Sequence, residues 1–201
     1  ANPPRGEDLD RCVQEALDEA VLCEEAGFHG FFFGEHHQDK DGFLPSPLTV
    51  CAAAAARTRR IDIGTSIILL PLHHPVRTAE DAATLDIISG GRAKIGVGLG
   101  YQPADFRMFG VDMSKRVEIY EECIEVVRRC WSGERFSYHG THFEIDDVQM
   151  LPAPIQRPMP LWLGAWAPAA VRRAARMGDG WMIGPSMSLD ELRPLADLYR
   201  E

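Results

Sequence analysis

The sequence lacks an excess of basic residues, with 21 Lys and Arg against 30 Asp and Glu in 201 residues and a formal net charge of −9. A phosphate-backbone partner requires clustered Lys and Arg, so we expect no nucleic-acid partner. No window approaches the ~20 consecutive apolar residues of a membrane helix. Residues 1–5 also lack the apolar core of a signal peptide. The expectation is a cytoplasmic protein with no membrane partner.

Cysteine is scarce, odd in number and absent from paired CxxC spacings. A reactive thiol needs a local cause for a lowered pKa, and no cysteine stands at the end of an apolar strand. All the cysteines fall in segments that are predicted to be helical: Cys12, Cys23, Cys51, Cys123 and Cys130. We interpret them as reduced packing residues.

What is present is an apolar run, Phe31 to Phe33, that ends abruptly in Glu35, His36 and His37. Such a run predicts a strand of a parallel sheet that is buried on both faces. Its charged end marks the C-terminal edge, where such sheets carry chemistry. Side chains alternate along a strand, so only one of the two histidines is expected to enter a pocket. A lone histidine is more often structural, but a pair at this position favours a functional role.

Strands and helices alternate along most of the chain. The apolar pattern predicts strands over 29–34, 61–70, 93–99, 161–164 and 180–183, and helices over 9–26, 46–57, 75–89, 115–131, 168–177 and from about 188. The segment 134–160 breaks the alternation, and aromatic residues that flank Gly140 predict a hairpin insertion there. Such βαβ units either close into a barrel or open as a doubly wound sheet.

A (β/α)8 TIM barrel needs eight strands and typically ~250 residues, whereas about five strands are predicted here. The chain starts and ends on a predicted helix. We therefore expect residues 1–201 to form a single α/β barrel domain that is truncated at both ends, without its first strand and its last two units.

The predicted third strand contains Gly96, Gly98 and Gly100, which share one face and are expected to leave it empty. A flat ring fits such a face, and tight helix packing is the alternative. A Rossmann phosphate loop is disfavoured, because the spacing is not GxGxxG and residues 101–103 are not predicted to open a helix.

A second histidine pair, His73 and His74, precedes Pro75. It either forms another site or merely caps the following helix, and we favour capping. A metal-dependent hydrolase would combine this pair with Glu35, His36 and His37. Adjacent histidines seldom share one metal, so no metal site is expected.

Several segments, in order and at matching spacing, resemble the bacterial luciferase-like flavin-dependent oxidoreductases. The resemblance covers essentially the whole chain and implies a (β/α)8 barrel with a hairpin insertion. The segments that carry it are Glu35-His36-His37, Gly64 to Arg77, Leu85 to Arg92, Gly96 to Tyr101, and Arg176 to Trp181.

The resemblance also implies roles for individual residues. It places the catalytic histidine at His36, with Glu35 orienting it or binding a neighbouring group. It implies a non-proline cis peptide under the flavin ring, between Ser66 and Ile67. The remaining cofactor-binding positions that it implies are Gly98, facing the ring, Arg116, for the phosphate, and Gly100, Tyr101, Trp166 and Ala167.

One departure concerns the phosphate of the cofactor. Trp166 and Ala167 stand where luciferase has a phosphate-binding carboxylate and serine. Phosphate is therefore expected to depend on backbone N–H groups near 167–170, since helix N-termini bind anions without help from side chains.

The implied activity is that of a two-component monooxygenase, in which a separate flavin reductase supplies reduced FMN. O2 and a small organic substrate are the other reactants, and a homodimer is expected. The alternative on the same scaffold is an F420-dependent oxidoreductase that transfers hydride. A non-catalytic flavin-binding protein and the metal-dependent hydrolase are weaker alternatives, and no substrate is named by the sequence.

Overall fold

The structure, a computed structural model, describes residues 9–38, 44–184 and 186–201. Its strands are β1 Gly30–Phe33, β2 Asp62–Leu69, β3 Ala93–Gly98, β4 Phe136–His139, β5 Glu144–Val148, β6 Leu161–Gly164 and β7 Gly180–Met182. Within the described residues, five of them form one sheet in the order β1-β2-β3-β6-β7, and every pairing is parallel. Parallel neighbours require a crossover connection, and helices supply most of these.

The helices are α1 Leu9–Glu25, α2 Pro47–Arg57, α3 Pro75–Ser89, α4 Pro103–Phe109, α5 Arg116–Ser132, α6 Pro168–Met177 and α7 Leu189–Arg200. Proline opens α2, α3, α4 and α6, at a position where the missing N–H has no intrahelical partner to lose. Gly90 ends α3 with φ 69°, and Ser188 begins α7 with a capping box to Glu191. The predicted helix and strand boundaries are thus confirmed to within a few residues.

Helix α4 was not expected. Pro103 occupies its first turn, Phe106 is buried, and Gly110 ends it with φ 69°. The expectation that residues 101–103 do not open a helix is therefore wrong. The helix has seven residues, too few for apolar periodicity to reveal it. The absence of GxGxxG spacing still argues against a Rossmann loop.

One face of the sheet packs against the helices and forms the core, with Ile63, Ile95 and Leu163 all at most 1% exposed. The opposite face, which we call the inner face, carries Phe32 and Trp162. Their rings lie 6.0 Å apart and are stacked, although they belong to β1 and β6, which are separated by two other strands. In a flat sheet such strands would lie ~14 Å apart. The inner face is therefore concave, as in a barrel wall.

The sheet is not closed within the described residues, where β1 and β7 each pair with one neighbour. This agrees with the predicted α/β architecture, a (β/α)8 barrel of which about five strands are present. That residues 1–201 constitute one domain stays a prediction.

The predicted hairpin is confirmed, since β4 and β5 pair antiparallel. Glu122 on α5 anchors it, because its carboxylate accepts hydrogen bonds from the backbone N–H groups of Thr141 and His142 at 2.8 and 3.0 Å. The hairpin thus lies against the outside of the helical layer.

Candidate active site

The carboxyl ends of all five parallel strands point to one edge of the sheet, and residues just beyond β1, β2, β3 and β6 meet there. Chemistry in barrels concentrates at this edge because loops from several strands converge on it. Beyond β1, Glu35 forms a parallel bridge with Leu44, and His36 N–H donates to the Leu44 carbonyl at 3.4 Å. Backbone contacts thereby fix the Glu35-His36-His37 segment.

Glu35 is the centre of a buried hydrogen-bond network. Its side chain is fully buried, and Oε1 lies 2.8 Å from His37 Nε2 and 2.7 Å from His73 Nε2. Its Oε2 accepts the backbone N–H of Leu69 at 2.6 Å. One carboxylate therefore ties the end of β1 to the end of β2 and to the loop that follows it.

The hydrogen-bond network stabilises the ionised form of Glu35. Burial alone would raise the pKa of this carboxyl, but the hydrogen bond and charge of His73, the N–H of Leu69 and the hydrogen bond of His37 outweigh it and lower the pKa. The group is ionised at neutral pH, and Oε1 accepts a hydrogen bond from each Nε2–H.

The two histidines of the predicted pair lie in different surroundings. His37 is buried, and its ring meets that of Phe109 edge-on at 4.8 Å, whereas His36 is half-buried. Strand β1 ends at Phe33, and continued alternation beyond it would place His36 on the side of Phe32 and His37 on the side of Glu35. That Glu35 orients His36 stays a prediction, since its two oxygens are engaged by His37, His73 and Leu69.

The favoured interpretation of the second histidine pair is wrong. His74 occupies the N-cap position of α3 without a side-chain capping hydrogen bond, and His73 bonds to Glu35 instead. Sequence reasoning missed this contact because 38 residues separate the partners. The only available signal was that both groups follow apolar strands.

The Ser66–Ile67 peptide is cis, as predicted. Ser66 is exposed although it lies in the middle of β2, between the buried Thr65 and the buried Ile68. The register with β3 passes from Thr65 directly to Ile68, so Ser66 and Ile67 fall outside that ladder. At this point of β2 a short stretch of backbone therefore lies outside the β2–β3 ladder, beside an exposed serine side chain.

The glycine face of β3 is not empty, contrary to expectation. A Cβ on Gly98 would lie 1.9 Å from Ile67 Cδ1, and one on Gly96 would lie 2.3 Å from Met182 Sδ. Gly100 has φ 73°, so it leaves the strand alternation and turns the chain. Bare glycines admit neighbouring side chains, which fill the space. Contact of Gly98 with a cofactor stays a prediction that requires the end of Ile67 to move.

Three other predicted cofactor positions follow β3 and β6. Tyr101 and Trp166 are brought together, with ring centroids 6.3 Å apart. Ala167 is the N-cap residue of α6, and since Pro168 has no N–H, the next backbone amides belong to Ala169 and Ala170. These positions lie at the carboxyl edge of the sheet, as a site of this fold requires.

The predicted phosphate residue Arg116 is the first residue of α5. Its Nη1 donates to the Met113 carbonyl at 2.9 Å, one turn earlier in the chain. The contact fixes one guanidinium nitrogen, and the group retains its other donors.

The buried thiols have no reactive character. Burial raises the pKa of Cys130 to about 11 and that of Cys123 to about 12, and it raises the pKa of Cys51 further. In the part of the chain that the structure describes, no three His, Cys, Asp or Glu side chains are placed to hold a metal ion. The described helices include none long and apolar enough to cross a membrane.

Comparison with known proteins identifies a family that the chain matches. The family described as "Luciferase-like monooxygenase" matches residues 4–201. An F420-dependent glucose-6-phosphate dehydrogenase of Microbacterium testaceum is 33% identical over 193 residues, covering 91% of this chain and 57% of the relative.

Solved structures of monooxygenases also match this chain. The crystal structure of monooxygenase RslO1 from Streptomyces bottropensis matches with a TM-score of 0.91 and 36% identity, covering 96% of this chain and 60% of that one. The oxygenating constituent of 3,6-diketocamphane monooxygenase of Pseudomonas putida, in complex with FMN, shares the fold with a TM-score of 0.84 and 23% identity, over 98% and 57%. The chain thus spans somewhat more than half the length of these proteins.

Proposed function

The chain belongs to the luciferase-like monooxygenase family, and on that premise we propose that it acts as a flavin-dependent monooxygenase. It uses reduced FMN and O2 to oxidise a small organic substrate. The observation that carries the proposal is the opening at Ser66 and Ile67, which lies on β2, next to β1, the strand that leads to His36.

The residues at this opening fit a flat, hydrogen-bonding ring. Ser66 is exposed, and the Ser66 and Ile67 backbone lies outside the ladder with β3, so in this proposal its N–H and C=O groups would bond polar ring atoms. Ile67, Gly98 and Gly100 would contact the ring, whereas Tyr101 and Trp166 lie further out, beyond the ends of β3 and β6. Arg116 and the amides after Ala167 would bind the phosphate. Bound reduced FMN supplies the electrons for the reaction of O2 with the substrate.

The chain itself contributes a proton-transfer group and its support. His36 is half-buried just beyond the end of β1, and we assign it as the general acid or base that exchanges a proton with the substrate through an imidazole nitrogen. Glu35 contributes by anchoring the segment that carries His36 to β2, through Leu69 and His73. The stacked rings of Phe32 and Trp162 line the inner face, where they would help to exclude water from a bound cofactor.

The second candidate is an F420-dependent oxidoreductase, favoured by the F420-dependent relative at 33% identity. In that reaction His36 would exchange a proton as hydride moves between the substrate and the cofactor, and O2 would take no part. The same ring site and the same histidine would serve both chemistries.

Parallel reconstitution with FMN and with F420 tests the proposal. We expect tight binding of FMN, and O2 consumption when reduced FMN and a flavin reductase are supplied with an oxidisable substrate. Binding of F420 with O2-independent reduction would favour the alternative, and binding without turnover would indicate a flavin-binding protein. The matched variant is His36→Ala, which should bind FMN but turn over at least about tenfold more slowly. The homodimer that the resemblance implies is checked by sedimentation of the same samples.

A further inference from the structure

We propose that Tyr101 and Trp166 form an aromatic clamp that binds a planar aromatic ring of the organic substrate. The inference rests on the proposed function, since it names the substrate class of the same site. The term aromatic clamp refers here to these two side chains alone.

The two rings meet although they come from separate loops. Tyr101 follows β3 and Trp166 follows β6, neighbouring strands of the sheet. Their centroids lie 6.3 Å apart with an interplanar angle of 37°. Each side chain nevertheless remains about 60% exposed, at 61% and 60%. Two large apolar rings at the mouth of a site, each with most of its surface open, offer stacking area to a ligand.

A third loop supports the clamp. Gly184, which follows β7, lies so close to the indole that a Cβ there would be 2.6 Å from Trp166 Nε1. The absence of a side chain at Gly184 therefore makes room for Trp166. A ring that is already held in place loses less conformational entropy when a ligand binds.

The exposed faces suit a flat ligand. The two rings are tilted by 37° and contact each other, so a planar ring would stack on the outer face of one of them and meet the edge of the other. A saturated ring is thicker and puckered, so it contacts a flat indole or phenol face poorly.

The clamp is separate from the position proposed for the flavin ring. Ile67, beside the opening at Ser66, lies against both Gly98 and Gly164. Tyr101 lies three residues beyond Gly98, and Trp166 lies two beyond Gly164. Both rings therefore lie beyond the ends of β3 and β6, on the loops that follow these strands. A ring held there is a second ring, which points to the substrate.

Binding of 1-naphthol and of its saturated counterpart decahydro-1-naphthol, each measured by calorimetry with FMN present, tests this inference. We expect 1-naphthol to bind at least about tenfold more tightly, because stacking on aromatic side chains is worth ~1–3 kcal/mol. Trp166→Leu and Tyr101→Leu should each remove most of that preference, and Trp166→Phe should keep it. Phe28→Leu, at another exposed aromatic residue, is the matched control and should change nothing.

FMN affinity, measured on the same variants, distinguishes a clamp that binds the substrate ring from one that binds the flavin ring. Equal affinity for the two probes in the wild type, or a loss of FMN affinity that parallels the loss of 1-naphthol affinity, would overturn the inference. If either leucine variant fails to fold by circular dichroism, the other gives the answer. A preference for 1-naphthol without any O2 consumption would support the aromatic clamp and contradict the proposed monooxygenase activity. Turnover without that preference would support the monooxygenase activity and contradict the aromatic clamp.

Discussion

Glu35 and His73 are joined by a 2.7 Å hydrogen bond between Oε1 and Nε2, across 38 residues of sequence. The carboxylate is completely buried, whereas the imidazole is 31% exposed. The contact therefore joins a buried carboxylate just after β1 to a partly exposed imidazole in the loop after β2. It fixes the positions of these two segments relative to each other, which no contact within either segment could do.

Replacing Glu35 should destabilise the protein strongly. Removal of one member of a buried, hydrogen-bonded set costs ~3–5 kcal/mol, because the remaining donors lose their acceptor. We expect Glu35→Ala to lower the free energy of unfolding by about that amount in urea titrations. Glu134→Ala, at an exposed carboxylate just beyond the end of α5, is the control and should have little effect. A loss below about 1 kcal/mol would show that the network carries no stability.

The same carboxylate predicts a pH dependence. The pKa of Glu35 in the folded state lies below its ordinary value of 4.5, so its contribution is complete above about pH 4.5 and is lost as pH falls through the folded-state pKa. The difference in unfolding free energy between the wild type and Glu35→Gln should therefore shrink below pH 4.5. A difference that stays constant from pH 7 to pH 3 would contradict the assignment of an ionised Glu35.

Loss of the His36 imidazole should impair chemistry and leave binding intact. General acid–base assistance typically contributes ~10²–10⁴ in rate, so His36→Ala should reduce kcat at least about tenfold while the Kd for FMN stays the same. His139→Ala, at a 60% exposed histidine on the hairpin, is the control. Turnover at the wild-type rate in His36→Ala would remove this residue from the mechanism.

The features that the sequence predicts correctly are those set by short-range patterns. Apolar alternation, prolines at helix starts and glycines at helix ends locate the strands and most helices, and the family resemblance locates the Ser66–Ile67 cis peptide. Contacts between distant segments are missed. His73 was assigned to a helix cap, and the glycine face of β3 was expected to be empty. Neither the partner of His73 nor the intrusion of Ile67 leaves a trace in the local sequence.

Gly98 and Ile67 should be energetically coupled. A Cβ on Gly98 would lie 1.9 Å from Ile67 Cδ1, the movable end of a side chain, so Gly98→Ala should displace Ile67 rather than the backbone. Overpacking of this kind costs ~1–3 kcal/mol. Ile67→Ala removes the clash, and the double variant should recover most of the loss caused by Gly98→Ala.

A double-mutant cycle of unfolding free energies measures this coupling. FMN affinity in the same four proteins shows whether the space at Gly98 matters to the cofactor. A Gly98→Leu variant should abolish flavin binding without unfolding the protein. Additive effects of Gly98→Ala and Ile67→Ala would mean that the two residues do not compete for one space.

The final prediction concerns the thiols. Cys51, Cys123 and Cys130 are buried, and burial raises each pKa, so the thiolate that reacts with disulfide reagents is scarce at these positions. Cys12 and Cys23, on α1, are partly exposed. At pH 8 a disulfide reagent should modify at most two thiols in the native protein and all five after denaturation. Rapid native labelling of Cys51, identified by peptide mass, would contradict its burial against β2, where its thiol donates to the Gly64 carbonyl.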